Sequence, residues 1–260
     1  MTSWNPAQYG TFLDLRTRPS RDLAQRIPIS PQRIVDLGCG PGNSTVVCAE
    51  RWPTAFILVL DSSPEMIESA RTTYPDRTWL LGDIGEWIRQ PRNPDEPVDL
   101  IFSCAALQWV EDHAQVFPQL LQKLSSGGVL AVQMPAYDAI PNQVMRDMAA
   151  SARWQPWFLD GRAREWRSHS LELYYATLAR SAQWLDLWAT DYLQIMPDLD
   201  GIVEWYKSTG LRPYLDCLRQ TEPRQEFLEE FRFQLSHFYA KSEAGGVPFL
   251  FRRIFIVAGV

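Results

Sequence analysis

With 260 residues, 46% of them hydrophobic and 22% charged, the chain has the composition of a folded protein able to bury one full-sized core. A net charge of −6 with no long basic stripe argues against a nucleic-acid partner, and no apolar run reaches the roughly 18 residues of a membrane span. Cys39, Cys48, Cys104 and Cys217 form no CxxC pair and have no histidine cluster beside them, which argues against a zinc site and a disulfide framework and leaves thiols.

In chain order, the opening "MTSWNPAQYG" lacks the basic and apolar regions of a secretion signal, so a cytoplasmic location is expected. Five short Val/Ile/Leu-rich runs follow: "RIVDLG" (33–38), "FILVLD" (56–61), "TWLLGD" (78–83), "VDLIFSC" (98–104) and "GVLAVQM" (128–134). Such continuous apolar runs read as strands buried on both faces. Between the first pair lies "NSTVVCAERW" and between the second "SPEMIESARTTY", both with helical spacing of apolar positions. Ser63 is placed to N-cap the latter, with Pro64 at the first helical position and Glu65 at the positive end of the dipole. After the fourth run, "HAQVFPQLLQKL" reads as a helix stopped by "SSGG" before strand five. Strand and helix alternating in this way predict a doubly wound α/β sheet.

The second half is less regular. "SLELYYATLARS" (170–181) reads as a helix, "WLDLWATDYLQIM" (184–196) as an extended stretch and "PFLFRRIFIVAGV" (248–260) as a terminal strand. Two excursions, near 135–169 and 197–247, leave the sheet and return to it. They are rich in aromatics and are expected to form a helical cap on a single domain spanning 1–260.

A strand, a glycine-rich turn and a helix make a ligand cleft at the carboxyl edge of such a sheet. Gly38, Gly40 and Gly42 run G-x-G-x-G, not the G-x-G-x-x-G of a dinucleotide site, and Pro41 stiffens the turn. Asp36, two residues before the first glycine, would repel a pyrophosphate but suit an ammonium group. Asp61, 19 residues beyond Gly42, closes strand two, where a carboxylate can accept both hydroxyls of a ribose, and Asp83 closes strand three.

As a set these residues resemble the class I S-adenosylmethionine-dependent methyltransferases. The resemblance implies a Rossmann-like sheet, mostly parallel with its last strand antiparallel, and S-adenosylmethionine as cofactor. Carried over by position, it implies that Asp36, Gly38, Gly40 and Gly42 form the loop along the amino-acid end of the cofactor. Asp61 would hold the ribose, Asp83 and Ile84 would lie near the adenine, and Ser62 and Met66 would flank the base. The stretches "WNPAQYGTFLDLRTRP", "DLGCGPGNST", "LDSSPEMIESA", "ALQWVEDH", "GVLAVQMP", "STGLRPYL" and "FRRIFIVA" resemble, in order and over nearly the whole length, the trans-aconitate methyltransferases, which esterify one carboxylate of that acid. "RWQPWFLDGRAREWRSH" matches least, which leaves the exact polycarboxylate open.

A carboxylate acceptor is ionised at neutral pH, so no general base is required, and orientation is the protein's task. Arginine suits a carboxylate because its planar fork makes two hydrogen bonds to it. Arg16 and Arg18, Arg212, the pair Arg252 and Arg253, and Arg162, Arg164 and Arg167 are the candidates, with Arg18 and Arg212 preferred and Tyr9 beside the first pair. Gln108 and Trp109 follow strand four at the cleft mouth, where they could position the acceptor and wall off water. His113 is expected to cap or pack, since the acceptor gives it nothing to deprotonate. Three other readings stay open at this point: methylation of another small acid or a malonyl thioester, a non-catalytic S-adenosylmethionine-binding module, and a nicotinamide-dependent dehydrogenase.

Overall fold

The computed structural model describes residues 12–158, 167–218 and 220–260. In chain order the elements are α1 (Leu13–Gln25), β1 (Arg33–Leu37), α2 (Asn43–Arg51), β2 (Phe56–Asp61), α3 (Pro64–Thr73), β3 (Trp79–Leu81), α4 (Ile84–Arg89) and β4 (Val98–Cys104). A 3-10 turn (Leu107–Trp109) then precedes α5 (His113–Lys123), β5 (Leu124–Pro135), α6 (Ile140–Ala150), α7 (Gln155–Phe158), α8 (Leu171–Leu178) and β6 (Trp184–Met196). Last come α9 (Leu199–Lys207), α10 (Arg212–Cys217), α11 (Thr221–Leu235) and β7 (Val247–Gly259).

The strands form a seven-stranded sheet in the order β3-β2-β1-β4-β5-β7-β6. β1 pairs in parallel with β2 and β4, β2 with β3 and β4 with β5, whereas β7 runs antiparallel to β5. This is the expected Rossmann-like sheet. The order reverses between β1 and β4, so the connections leaving their carboxyl ends diverge and open a crevice there. Ile34, Val35 and Leu37 of β1, Leu100, Ile101 and Phe102 of β4, and Leu130, Ala131 and Val132 of β5 are fully buried. Helices on both faces cover these strands, which is why they read as unbroken apolar runs and not as alternating ones.

Local signals placed several helix ends. Ser63 Oγ accepts the Met66 N–H at 3.3 Å and donates to Glu65 Oε2 at 2.7 Å, with Pro64 opening α3 as expected. Asp83 caps α4 in the same manner, accepting the Glu86 N–H at 3.0 Å. At "SSGG" the structure differs from expectation. No loop separates helix from strand: Leu124 already pairs with Val98, and the ladder breaks register between Val98 and Leu100 before continuing. Ser125 Oγ donates to Val98 O at 3.1 Å and Asp99 Oδ1 at 2.9 Å, and Gly127 takes φ +76, so the four residues form an irregular first stretch of β5.

α1 was not legible as a helix. Its buried face carries Arg16, Thr17, Pro19 and Ser20 beside Leu23 and Ala24, so the apolar stripe that marks a surface helix is missing. A helix that buries polar groups against its neighbours does so for a reason other than core formation.

The chain divides into two compact units. One comprises the described residues through 135, Arg167–Thr190 and Arg253–Val260, and holds the crevice between β1 and β4. The other comprises the described residues from 136 to 158 and from 191 to 252. Within this second unit α11 packs against α6 and α9, and α7 against α10. Its core is aromatic: Trp154, Trp205, Tyr206, Phe227, Phe231 and Phe249 are all fully buried, with Trp154 edge-on to Phe227 at 5.0 Å between centroids. Trp154 Nε1 donates to Glu230 Oε2 at 2.9 Å, which satisfies the one polar atom of that indole.

Candidate active site

The turn after β1 is shaped by three glycines that do different work. All have positive φ, +73 at Gly38, +55 at Gly40 and +98 at Gly42. A Cβ at Gly38 would stand 2.1 Å from the Ala106 Cβ, and one at Gly42 would stand 2.7 Å from the Trp79 ring. At Gly40 a Cβ would meet nothing within 4 Å. Gly38 and Gly42 therefore let the chain pack, whereas Gly40 leaves open space above the turn where another molecule's atoms can approach the backbone.

Asp61, at the end of β2, clamps this turn. Its Oδ2 accepts the Gly40 N–H and its Oδ1 the Ser63 N–H, both at 2.8 Å. Burial raises its pKa above the usual carboxylate value, and the backbone donors of Ser63, Gly40 and Ser62 pull it back. Asp36 is fully buried beneath the same turn. Its Oδ2 accepts from Thr45 Oγ1 at 2.6 Å and Ser44 Oγ at 2.8 Å, at the start of α2, while Oδ1 has no partner among the described residues. Burial raises its pKa to about 6, against the lowering effect of the two hydroxyls and with the Asp61 charge adding to the rise.

Around the turn, Ile84 extends toward Gly38, its Cδ1 lying 3.4 Å from where a Gly38 Cβ would stand. Met66 is buried, Ser62 is exposed at the mouth, and Asp83 is exposed at the start of α4. Across the crevice, β4 is followed by Ala105, a non-glycine residue at φ +54. That unusual conformation swings the chain into the 3-10 turn bearing Gln108 and Trp109. Gln108 is buried: its Nε2 donates to Ala105 O at 2.8 Å, and its Oε1 has no partner among the described residues. Trp109 is half-buried.

His113 anchors this turn. Its Nε2 meets Leu107 O at 2.9 Å, and a carbonyl can only accept, so Nε2 carries the proton. Nδ1 then accepts the Tyr174 O–H at 2.7 Å, and the Tyr174 oxygen accepts the His169 N–H at 3.2 Å. Burial lowers the His113 pKa, which keeps the ring neutral in this chain of bonds. The imidazole is committed at both nitrogens, in keeping with the packing role expected from the sequence.

The arginines separate cleanly. Arg18 is exposed on α1, its Nε 4.0 Å from Asp22 Oδ2, while Arg16, two residues earlier, is on the buried face. Arg252 is exposed near Asp191 at 3.9 Å, while Arg253, next along β7, is buried and donates from Nη1 to Gln133 Oε1 at 3.0 Å. Arg212 opens α10 in the second unit, buried, with Nε 4.0 Å from Asp216 Oδ2. Tyr9, Arg162 and Arg164 lie outside the described residues. One unit thus gathers Asp36, Gly38, Gly40, Gly42, Asp61, Ser62, Met66, Asp83, Ile84, Gln108 and Trp109 at one end of its sheet. Sequence reasoning had not singled out Ser20, Cys104 or Gln133, which lie at that end as well; strand alternation shows that one arginine of "FRRI" faces inward but not which.

Residues 34–128 match a family described as a methyltransferase domain. The chain is 42% identical over 262 residues to a trans-aconitate 2-methyltransferase of Azoarcus sp., with 99% of each chain covered. It is 41% identical over 260 residues to a trans-aconitate 2-methyltransferase of Escherichia coli, covering 99% of this chain and 98% of the relative. Among solved structures it is similar to the YcgJ protein from Bacillus subtilis, with a TM-score of 0.57 and 13% identity over 93% of this chain and 98% of that one. It is also similar to phosphoethanolamine N-methyltransferase 2 of Haemonchus contortus in complex with S-adenosyl-L-methionine, with a TM-score of 0.55 and 14% identity over 93% of this chain and 52% of that one. At such identities the two structures speak for the fold alone.

Proposed function

The chain belongs to the trans-aconitate 2-methyltransferase family, and we propose that it transfers the methyl group of S-adenosylmethionine to one carboxylate of trans-aconitate, forming the monomethyl ester. The observation that carries this reading is identity near 42% over 99% of both chains, which takes in residues 136–158 and 191–252 as well as the sheet. The acceptor is then a small polycarboxylate, free in the cytoplasm, with neither nucleic acid nor membrane as partner. The net charge of −6 supports the absence of a nucleic-acid partner.

The site residues fit the cofactor. When bound, S-adenosylmethionine supplies a methyl group on a sulfonium whose leaving group is already activated. Gly40 would admit it to the backbone, since its open side would be filled by any Cβ-bearing residue. With three backbone donors on its two oxygens, Asp61 keeps acceptor capacity for a ribose hydroxyl without releasing the turn. The buried, unpartnered Asp36 Oδ1 suits the cationic end, and Ile84 and Met66 give the adenine apolar surroundings, with Ser62 and Asp83 at its exposed edge. Gln108 presents an acceptor oxygen without a partner among the described residues and, beyond the N–H held by Ala105 O, a second amide N–H, so it can both accept from and donate to a ligand. Trp109 beside it screens water. No residue has to remove a proton, so catalysis rests on orientation and on excluding water.

Asp61→Ala is expected to weaken cofactor binding by about 1 to 3 kcal/mol, roughly 5- to 150-fold, through lost charged hydrogen bonds. Calorimetry with S-adenosylmethionine reads this directly, and unchanged affinity removes Asp61 from the site. The reaction is tested by transfer of radiolabelled methyl to trans-aconitate, cis-aconitate, citrate, isocitrate and a malonyl thioester. Base-labile label on trans-aconitate is the expected result. Cofactor binding without transfer to any acid on the panel would overturn it.

A further inference from the structure

Methyl transfer to a polycarboxylate requires more than a place for the reacting oxygen. The remaining carboxylates must be held, and Gln108, a neutral amide with one N–H already on Ala105 O, cannot balance their charge. Immediately before Ala105 stands Cys104, paired in register with Gln133 on β5, and the Ala105 N–H donates to Gln133 O at 2.9 Å. Gln133 is buried, and its Oε1 receives the Arg253 Nη1–H. Arg253 is itself 4% exposed and sits opposite Pro135 in the β5–β7 ladder. Burial pushes the Cys104 thiol up to about 12, with the Asp36 charge adding to the rise, while Ser20, Gln133 and the Arg253 charge draw it back down, so these groups act on one thiol at the end of β4. Ser20 brings α1 into this group, and Arg16, one turn before it on the same buried face, is 5% exposed.

We propose that Arg253, oriented by Gln133, is the guanidinium that binds a carboxylate of the acceptor other than the one methylated, with Arg16 of α1 contributing a second positive charge. This rests on the reaction assigned above. A guanidinium carries five N–H donors in a planar fork, so Arg253 can keep Gln133 and grip a carboxylate at once. The partner at position 133 matters. An amide orients the fork without neutralising it, whereas Asp or Glu there would hold the charge for itself. Mounting the arginine on a strand paired with β5 fixes its position more closely than a loop could. The polar inner face of α1 has the same explanation: Arg16 and Ser20 line a ligand-binding region instead of completing a core. Arg253 and Arg16 thereby set selectivity for acids with more than one carboxylate.

The test uses the whole chain and two variants. Gln133→Glu places a competing carboxylate on the fork and is expected to raise the KM for trans-aconitate at least tenfold. Its affinity for S-adenosylhomocysteine should stay within twofold of wild type and its Tm should not fall, which a merely structural role for Gln133 would not produce. Arg253→Lys keeps the charge but loses the fork, and is expected to raise the same KM about tenfold or more. If the wild type methylates trans-aconitate and both variants keep its KM, the inference is overturned and the assigned reaction stands. If the wild type transfers nothing yet binds trans-aconitate by calorimetry with S-adenosylhomocysteine present, and Gln133→Glu abolishes that binding, the reaction falls and the subsite stands. If the wild type neither methylates nor binds the acid, both fall. Should Gln133→Glu fail to fold, Arg253→Lys decides alone.

Discussion

A Gly38→Ala chain is expected to lose about 2 to 5 kcal/mol of unfolding free energy in urea titration. About 1 to 2 kcal/mol comes from forcing an L-residue into the left-handed region at φ +73. A further 1 to 3 kcal/mol, roughly, comes from the new Cβ, which would stand 2.1 Å from the Ala106 Cβ. Neither atom is the free end of a flexible side chain, so backbone must shift, and the shift separates the β1 and β4 turns that make the crevice. Gly40→Ala should behave differently. Its φ of +55 costs about 1 kcal/mol, but its Cβ meets nothing within 4 Å, so the chain stays folded while cofactor affinity falls by about tenfold or more through obstruction of the approach. Equal destabilisation by the two substitutions would mean that the turn does not divide into packed and open glycines.

Asp36→Asn is expected to stabilise the ligand-free protein above pH 6 by about 3 kcal/mol and to weaken cofactor binding at the same time. The folded-state pKa of about 6 lies above the ordinary 3.8, so the folded chain holds this proton more tightly than the unfolded one. The stability linked to it is therefore fully present below pH 4, is lost as the pH rises from 4 to 6, and stays lost above. A gap of about two pKa units corresponds to roughly 3 kcal/mol. Asparagine remains neutral throughout, and its oxygen can still accept from Thr45 and Ser44, so the slope between pH 4 and 6 should vanish. Urea titrations at pH 4, 5, 6 and 8 read the slope in both chains; an unchanged slope in the variant would assign it to another group. Weaker cofactor binding alongside greater stability would mark Asp36 as a charge kept buried for its ligand.

The extent of the sheet and the place of the cleft were legible because the signals are local. A parallel interior strand must be apolar on both faces, so β1, β2 and β4 appear as unbroken Val/Ile/Leu runs. Glycine spacing after β1 and an acid closing β2 likewise need only near neighbours to be read. α1 escaped notice because helix recognition depends on an apolar stripe, and this helix buries arginine, threonine and serine. The start of β5 was placed four residues late, because "SSGG" reads as a stop signal until Val98 and Asp99 supply partners for it.

The amino-acid sequence by itself determined the sheet class, the glycine turn with its acids, and a family resemblance carried by motifs from one end of the chain to the other. Only the tertiary structure decided which member of each ambiguous set faces inward: Arg16 and not Arg18, Arg253 and not Arg252, Gly40 open where Gly38 and Gly42 are packed. The physical reason is common to all of them. A side chain's environment depends on atoms that fold against it from far along the chain, such as Ala106 on Gly38 and Gln133 on Arg253, and no local pattern carries that information.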